Sequence, residues 1–304
     1  MSFHIKYRPN NFNEVIGNKE TIQILKGFLK DKEKMPHTFL LYGESGCGKT
    51  TIARILSKEL GCSEYDTYEY NMSNTRGIDT ARQIMETINL QSLTGNIKVY
   101  ILDEVHKTTG DFQNAILKAL EDTPKHVYFF LCTTDPNKLL NTIKNRCSQY
   151  QVSKPDTDEM KKWLKGICEK EEIKPDEIGI NKILDVSDNC PRQALILLEK
   201  VKGFGEFTSE VIQNILVKEE ETVINLCRRL LHPKASWKSV TGILSKLEEE
   251  PEQIRRAILG YMSKVVLNED NPQAVYILEC FKDNYYDSGK AGLILSCYEA
   301  ILKK

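Results

Sequence analysis

The stretch GESGCGKT, from Gly43 to Thr50, matches the G-x-x-x-x-G-K-T pattern of a phosphate-binding loop. The apolar segment HTFLLY precedes it and the amphipathic segment KTTIARILSKEL follows it, as a strand and a helix should. Glycines let backbone N–H groups turn inward around phosphate oxygens, and the helix N-terminus adds a partial positive charge. Lys49 is therefore predicted to contact the β- and γ-phosphates of a nucleotide, and Thr50 to bind Mg²⁺. The residues predicted to hold the nucleotide here are Gly43, Glu44, Ser45, Gly46, Cys47, Gly48, Lys49, Thr50 and Thr51.

A second motif, VYILDE, follows the pattern of a buried strand that ends in two carboxylates. Asp103 is predicted to hold the Mg²⁺ shell, and Glu104 to orient or deprotonate a water for attack on the γ-phosphate. The alternative is a strand followed by two solvated acids. Together with the phosphate loop, the pair favours hydrolysis over binding alone. His106 completes the sequence DEVH and receives no catalytic role.

Two threonines and one cysteine also carry chemistry. Thr133 and Thr134 end the apolar segment FFLCTT, where a hydroxyl can bind the γ-phosphate or the attacking water. An ordinary strand-capping role is the alternative. Cys47 lies in the phosphate loop near a helix N-terminus, which predicts a reactive thiol.

The elements that must position these residues alternate between strands and helices. After an extended opening at HIKYRP, the strands are predicted at HTFLLY, DTYEYN, NIKVYILDE, HVYFFLCTT and SQYQVS. The helices are predicted at KETIQILKGFLK, KTTIARILSKEL, RGIDTARQIMETI and FQNAILKALED. This alternation predicts an α/β domain whose five-stranded parallel sheet is covered on both faces.

From Lys154 onward the pattern indicates helices alone. Asp156 and Glu159 resemble a capping box, and Pro191 suits the first turn of a helix. The predicted domains are an α/β domain at 1–153, a small helical domain at 154–217 and an all-α domain at 218–304.

Composition bounds the class of protein. The 304 residues are 40% hydrophobic and 28% charged, which is typical of a folded chain. A net charge of −1 argues against a globally basic nucleic-acid coat. The nine cysteines include no C-x-x-C pair, and no apolar run approaches the roughly 20 residues that span a bilayer. We expect a soluble, cytoplasmic protein with reduced thiols.

The motifs in this order resemble those of the AAA+ ATPase subunits of sliding-clamp loaders. The resemblance is to the bacterial DNA polymerase III gamma/tau family, with replication factor C small subunits and phage loader subunits close behind. It is dense from YRPNNFNEVIGNKE to about Val152, including DEVHKTTGDFQNAILKALEDTPKHVYFFLCTTDPNKLLNTIKNRC, and thinner at NCPRQAL. The resemblance implies an AAA+ P-loop domain, a helical lid and a collar for oligomerisation over the three predicted domains.

The resemblance also implies residue roles. Thr133 matches a first sensor of the γ-phosphate, and Arg192 in CPRQAL matches a second sensor from the lid. Asn145-Arg146-Cys147 stands where the family has S-R-C, so Arg146 matches the finger that enters a neighbouring subunit's ATP site. The segment around the adenine matches Tyr7, Arg8, Pro9, Val15, Ile16 and Gly17.

The function implied is ATP-driven opening of a polymerase clamp and its loading on primer-template DNA. The expected partners are the clamp, the DNA and other loader subunits, in a pentameric homo- or hetero-oligomer. The candidate DNA contacts, for which a solvated surface role is the alternative, are Thr75, Arg76, Gly77, Lys107, Thr108 and Thr109. The family's cysteine-rich zinc module is replaced by a stretch with Cys62 alone, so ATP and Mg²⁺ are expected without zinc.

Two alternatives stay open. The chain can be another AAA+ DNA-processing ATPase of the branch-migration or initiator type, although the C-terminal segments show no basic recognition-helix pattern. It can also be a scaffold subunit of the same loader, although a scaffold has no need of Lys49 or Glu104. Its expected place is the cytoplasm, at the nucleoid in a cell or in the host if a phage encodes it.

Overall fold

The structure is a computed structural model of the 304-residue chain. It describes residues 2–203, 207, 223–233, 235–245, 247, 249–286 and 288–302. The chain divides into two compact units, Met1–Ser209 and Glu210–Lys304. The predicted boundary at 217/218 lies outside the described residues, and the three-domain division stays a prediction.

One parallel sheet of five strands forms the centre of the first unit, which confirms the predicted sheet. The strands are β1 (Thr38–Tyr42), β2 (Thr67–Asn71), β3 (Lys98–Asp103), β4 (Val127–Thr133) and β5 (Ser148–Gln151). Their order across the sheet is β2-β3-β4-β1-β5. Because parallel strands end at the same edge, Gly43, Asp103 and Thr133 come together there.

Helices surround this sheet and continue after it. In the first unit they are α1 (Phe3–Lys6), α2 (Lys19–Lys30), α3 (Lys49–Leu60), α4 (Ile78–Thr87), α5 (Gly110–Glu121), α6 (Asn141–Lys144), α7 (Thr157–Lys170), α8 (Glu177–Ser187) and α9 (Pro191–Gly203). In the second they are α10 (residues 223–231), α11 (Trp237–Leu244), α12 (Pro251–Asn268), α13 (Pro272–Cys280) and α14 (Gly289–Leu302).

The sheet is buried on both faces because successive side chains of each strand point to opposite sides. On one side Phe39 and Leu41 pack in a core with Ile52 of α3 and Leu25 of α2. On the other side Leu40 packs in a second core with Ala81, Ile84, Phe112 and Ile116, which come from α4 and α5. The continuous apolar runs of the strands serve both cores.

The opening of the chain differs from the prediction, because HIKYRP is not extended throughout. Phe3–Lys6 form a single helical turn, in which the Ile5 and Lys6 N–H groups donate to the Ser2 carbonyl. The Glu199 carboxylate of α9 accepts hydrogen bonds from the Phe3 N–H at 3.1 Å and the Ser2 hydroxyl at 2.5 Å. One turn is unstable by itself, so contacts with a residue far along the chain decide its conformation.

Two of the helices after the sheet, α7 and α9, begin where the sequence predicts. The Asp156 side chain accepts a hydrogen bond from the Glu159 N–H at 2.7 Å and caps α7. Pro191 is the first residue of α9. The three helices α7, α8 and α9 bury residues such as Leu164, Ile183 and Leu198.

The second unit is helical in every element that the structure describes. Its core contains Leu226, Ile258, Ile277 and Cys297, which come from four of its helices. Among the described residues of both units, no helix is both long and apolar enough to cross a membrane.

Candidate functional site

The phosphate loop connects the end of β1 to the start of α3 as a turn that requires glycine. Gly43 has φ +151, and a Cβ there would lie 2.0 Å from the Val152 carbonyl oxygen. Gly46 has φ +79, and a Cβ there would lie 2.5 Å from Cys190 Sγ and 3.3 Å from Arg192 Cβ. The loop thus passes close to both the sheet edge and the start of α9, where a larger residue has no room.

Lys49 and Thr50 begin α3 beside the acid that ends β3. The Lys49 side chain is buried, and its Nζ donates to the carbonyls of Gly43 at 3.0 Å and Glu44 at 2.9 Å. Thr50 Oγ1 donates to Asp103 Oδ2 at 2.8 Å. A hydroxyl and a carboxylate side by side are oxygen ligands of the kind that Mg²⁺ takes, so the residues fit the metal.

A cleft opens over this loop and brings together most of the predicted nucleotide-binding residues. Its lining includes Tyr7, Arg8, Pro9, Val15, Ile16, Ser45, Gly46, Cys47, Gly48, Lys49, Thr50, Thr51, Asp103, Glu104 and Arg192. The N-terminal segment, the phosphate loop, the end of β3 and α9 therefore meet at one site.

Six further residues line the cleft without having been predicted: His4, Glu14, Arg54, Trp163, Pro191 and Leu195. Arg54 lies one helical turn after Thr50, a spacing that places it on the same face of α3 and that could have revealed it. Trp163 lies on α7, and nothing local in the sequence marks it as part of a cleft wall.

The cleft collects positive charge. Burial first, and then the nearby Arg54 and Arg192, lower the pKa of Arg8. Arg54 forms a two-pronged hydrogen bond with Glu69 at 2.7 and 2.6 Å, which offsets part of its charge. Together with the Lys49 amine, these guanidinium groups give the cleft positive charges that suit a polyphosphate ligand.

Glu104 follows β3 and lines the cleft next to Asp103. Its backbone has φ 55 and ψ 38, an uncommon conformation for a non-glycine residue. Burial first, and then the neighbouring Asp103, raise the pKa of Glu104. Raising the pKa of a carboxylate makes it a better proton acceptor.

Several predicted residues lie outside the cleft lining. Gly43 lies at the start of the loop, against the Val152 carbonyl. The Glu44 carboxylate forms an ion pair with Lys154. Thr133 is fully buried, and its hydroxyl accepts a hydrogen bond from the Asp135 N–H at 3.0 Å. Arg146 begins the approach to β5 and pairs with Glu121 at 2.8 Å.

The predicted reactivity of Cys47 is wrong. Its side chain is buried, and burial first, then the nearby Cys190, raise the pKa of the thiol to about 11. Lys49 acts in the opposite direction but is outweighed. The thiol therefore stays protonated at neutral pH, and the thiolate that would react is scarce.

The candidate DNA contacts lie at two adjacent helix starts. Gly77 precedes α4 and Thr109 caps α5, and the Thr109 N–H donates to the Arg76 carbonyl at 3.2 Å. Thr108 is buried, and its hydroxyl donates to the Val105 carbonyl at 2.7 Å. The Thr108 hydroxyl thus points into the protein and not toward solvent, where DNA would bind.

The Cys62 Sγ donates to the Ile97 carbonyl at 3.4 Å. Within the described part of the chain, no three His, Cys, Asp or Glu residues are grouped as a metal site would require. The expected absence of zinc stays a prediction.

A buried carboxylate at the end of α7 connects the N-terminal segment, which lines the cleft, to α7 and α9 through hydrogen bonds. Glu171, whose side chain is 6% exposed, accepts hydrogen bonds from Lys202 Nζ at 2.6 Å and Lys6 Nζ at 2.5 Å. It also accepts one from the hydroxyl of Tyr7, a cleft residue. These donors, Lys202 first, lower the pKa of Glu171 to about 2.

Glu171→Gln is expected to lower the free energy of unfolding of the first unit at pH 7 by about 1–2 kcal/mol, because three donors lose a charged acceptor. The folded-state pKa lies below the ordinary 4.5, so this stabilisation is present above about pH 4.5 and is lost as the pH falls toward 2. Urea unfolding, followed by Trp163 fluorescence in a Trp237→Phe background, measures the gap between wild type and variant. Glu169→Gln, exposed on the same helix, is the control. A gap that stays equal at pH 7 and pH 3 contradicts the role.

Two family models match this chain. The model described as DNA polymerase III, delta subunit, matches residues 66–156. The model described as the Rad17 P-loop domain matches residues 2–94. Between them they span the phosphate loop and the whole sheet.

Relatives match over more of the chain. DNA polymerase III subunit gamma/tau of Mycoplasma genitalium is 31% identical over 264 residues, which are 80% of this chain and 42% of that protein. Subunit gamma of Buchnera aphidicola subsp. Acyrthosiphon pisum is 33% identical over 66% of this chain and 61% of its own length. Subunit tau of Escherichia coli is 26% identical over 90% of this chain and 47% of its own length. The chain thus spans about half the length of the relatives it matches.

A solved structure shares the fold. The RuvB Holliday junction branch migration motor of Thermotoga maritima superimposes with a TM-score of 0.59 at 18% identity, covering 80% of this chain and 86% of that one. At this identity the likeness shows the fold alone. The P-loop cleft and the two family models indicate an AAA+ ATPase of the clamp-loader type, and over about two thirds or more of its length the chain is similar to DNA polymerase III gamma and tau subunits.

Proposed function

We propose that this chain is the ATPase subunit of a sliding-clamp loader, which hydrolyses ATP at subunit interfaces to open a polymerase clamp and load it on primer-template DNA. The observation that carries the proposal is the meeting of four features in one cleft. They are the phosphate loop, the Thr50–Asp103 pair, Glu104, and Arg192 from a helix that follows the sheet. The gamma and tau relatives support the choice of the clamp loader over other AAA+ ATPases.

The chain's own groups account for binding and hydrolysis. Loop N–H groups and Lys49 bind the β- and γ-phosphates, and Arg192 contacts the γ-phosphate as a sensor. Thr50 and Asp103 would hold Mg²⁺, which would offset phosphate charge. Glu104 takes the proton of the attacking water. Tyr7, Arg8, Pro9, Val15 and Ile16 surround the adenine, and Thr133 acts as the first sensor.

Arg146 acts on a neighbouring subunit. It lies outside the lining of its own chain's cleft and pairs instead with Glu121, an acid that is 59% exposed. A guanidinium at the surface can enter an adjacent ATP site and offset the charge that develops on the γ-phosphate. Asn145 in place of serine leaves this charge unchanged.

The adjacent starts of α4 and α5 are proposed to grip the phosphates of the DNA backbone. Thr75, Arg76, Gly77, Lys107 and Thr109 lie near these starts. Such contacts do not depend on base sequence and weaken with salt. The buried Thr108 contributes to the fold of this surface through its hydrogen bond to Val105.

Residues 154–217 are proposed as the lid and 218–304 as the collar of the oligomer. Helix α14 favours the assignment of a collar, because it carries apolar side chains on two sides. Leu293, Cys297 and Ala300 are buried in the core of the second unit. The opposite side exposes Ile294, Leu295, Tyr298 and Leu302. Exposed apolar side chains grouped on one helix favour a partner surface.

The proposed assembly is a pentamer of this and related loader subunits, acting in the cytoplasm with its clamp and DNA and using ATP and Mg²⁺ without zinc. The test is steady-state ATP hydrolysis with and without primer-template DNA and the cognate clamp. We expect both additions together to raise turnover, since DNA entry aligns the neighbouring finger with each site.

ATP turnover, measured together with strand displacement and ATP binding, separates the clamp loader from the two alternative functions. Turnover that ignores the clamp, combined with strand displacement, would point to a branch-migration or initiator ATPase. ATP binding without turnover would point to a scaffold subunit. Either result overturns the proposal.

A further inference from the structure

His106 lies between two residues of the proposed reaction. It belongs to a short turn that follows β3, and its side chain is 8% exposed. Its Nδ1 lies 3.1 Å from Thr133 Oγ1, and its Nε2 lies 3.3 Å from Glu104 Oε2. The imidazole thus joins the end of β4 to the residue that follows β3.

The partners of the ring define where its proton resides. The Glu104 carboxylate offers only lone pairs, so the ring nitrogen that faces it must carry the proton. The Thr133 hydroxyl already accepts from the Asp135 N–H, which leaves its own proton for the ring. A proton on Nε2 therefore lies on the side of the Glu104 carboxylate, whose Oε2 is 3.3 Å away, and Nδ1 accepts from Thr133.

The surroundings keep the ring neutral, as one donor and one acceptor require. Burial first, and then Lys107 and Lys138, lower the pKa of His106 to about 4. Thr134 Oγ1 lies 3.5 Å from Nε2, and its lone pairs are a second acceptor on the same side. A neutral imidazole with its proton on Nε2 satisfies each of these contacts.

We propose that His106 is a positioning residue that links the Thr133 hydroxyl to the Glu104 carboxylate and orients this carboxylate for water activation. The inference rests on the proposed ATPase function and adds to it a path between the γ-phosphate sensor and the base. Glu104 needs such support because its left-handed backbone is uncommon and persists only where neighbours hold it. A movement of Thr133 is passed to Glu104 through one rigid ring.

Two amide substitutions separate positioning from space filling. A glutamine amide reaches about as far as Nε2 and keeps a polar N–H group next to Glu104, whereas the shorter asparagine amide reaches only the position of Nδ1. We expect His106→Asn to lower kcat on the order of 10-fold and His106→Gln by less than about 3-fold, with the KM for ATP changed less than about 2-fold in both. His126→Asn, outside the cleft lining, is the control. Far-UV circular dichroism and nucleotide affinity verify that each variant is folded.

A second readout needs no turnover. In the nucleotide-free, metal-free chain, ¹⁵N–¹H correlation spectra of the five histidines report which ring nitrogen carries the proton. We expect the Nε2–H form for His106 in wild type and in Thr133→Ser, and a mixture of forms in Thr133→Val. The Nδ1–H form in wild type, or equal kcat in the asparagine and glutamine variants, overturns the inference. A wild type that shows the Nε2–H form but no ATP turnover overturns the proposed function instead.

Discussion

Replacing Glu104 with Gln is expected to lower ATP turnover by at least about 100-fold while ATP binding persists. An amide has nearly the shape of the carboxylate but cannot take a proton from water. The Lys49 amine, the loop N–H groups and the Thr50–Asp103 pair are unchanged, so the phosphates are still held. Single-turnover hydrolysis and fluorescent-nucleotide binding measure the two effects separately.

Glu86→Gln, on the exposed side of α4, is the control for this result and keeps turnover normal. Two outcomes contradict the role of Glu104. Undiminished hydrolysis in Glu104→Gln means that another group takes the proton. Loss of ATP binding together with turnover means that the carboxylate supports the cleft and not the reaction.

Arg146→Ala is expected to lower turnover of the clamp- and DNA-bound assembly by about 1000-fold or more, which is the usual size of an arginine-finger effect. Within its own chain Arg146 is held by Glu121 at 2.8 Å and by the Thr142 carbonyl at 3.0 Å. An exposed pair of this kind contributes only about 0.2–1 kcal/mol, so it does not keep the guanidinium from a neighbouring phosphate. ATP affinity of the isolated chain stays unchanged. Lys144→Ala, in α6, is the matched control.

Mixing two inactive variants tests whether Arg146 acts on another copy of the chain. Arg146→Ala chains keep an intact ATP site, and Glu104→Gln chains keep an intact finger. In mixed assemblies, a finger from the second variant enters a site of the first, so part of the turnover returns. If Arg146 served its own site, every site in the mixture would lack one essential group and the mixture would stay inactive.

Local residue patterns were enough to predict the sheet, most of the helices and the phosphate site. Helical and strand periods are local, and the strand, loop and helix around Lys49 are contiguous, so residue spacing alone predicts where the phosphates bind. The parallel sheet then brings Asp103 beside Thr50, because parallel strands end at one edge. The motifs that follow, up to Arg192, were assigned through their resemblance to the clamp-loader family.

The folded chain was needed to show which side chains face the cleft, which are buried and which pair elsewhere. Spacing could not show that Cys47 packs beside Cys190, so that burial outweighs the effect of the helix start on its pKa. Nor could it show that Glu44 turns to Lys154 or that His106 meets Thr133. Desolvation and contacts between distant segments depend on how the elements pack, and no local pattern in the sequence records that packing.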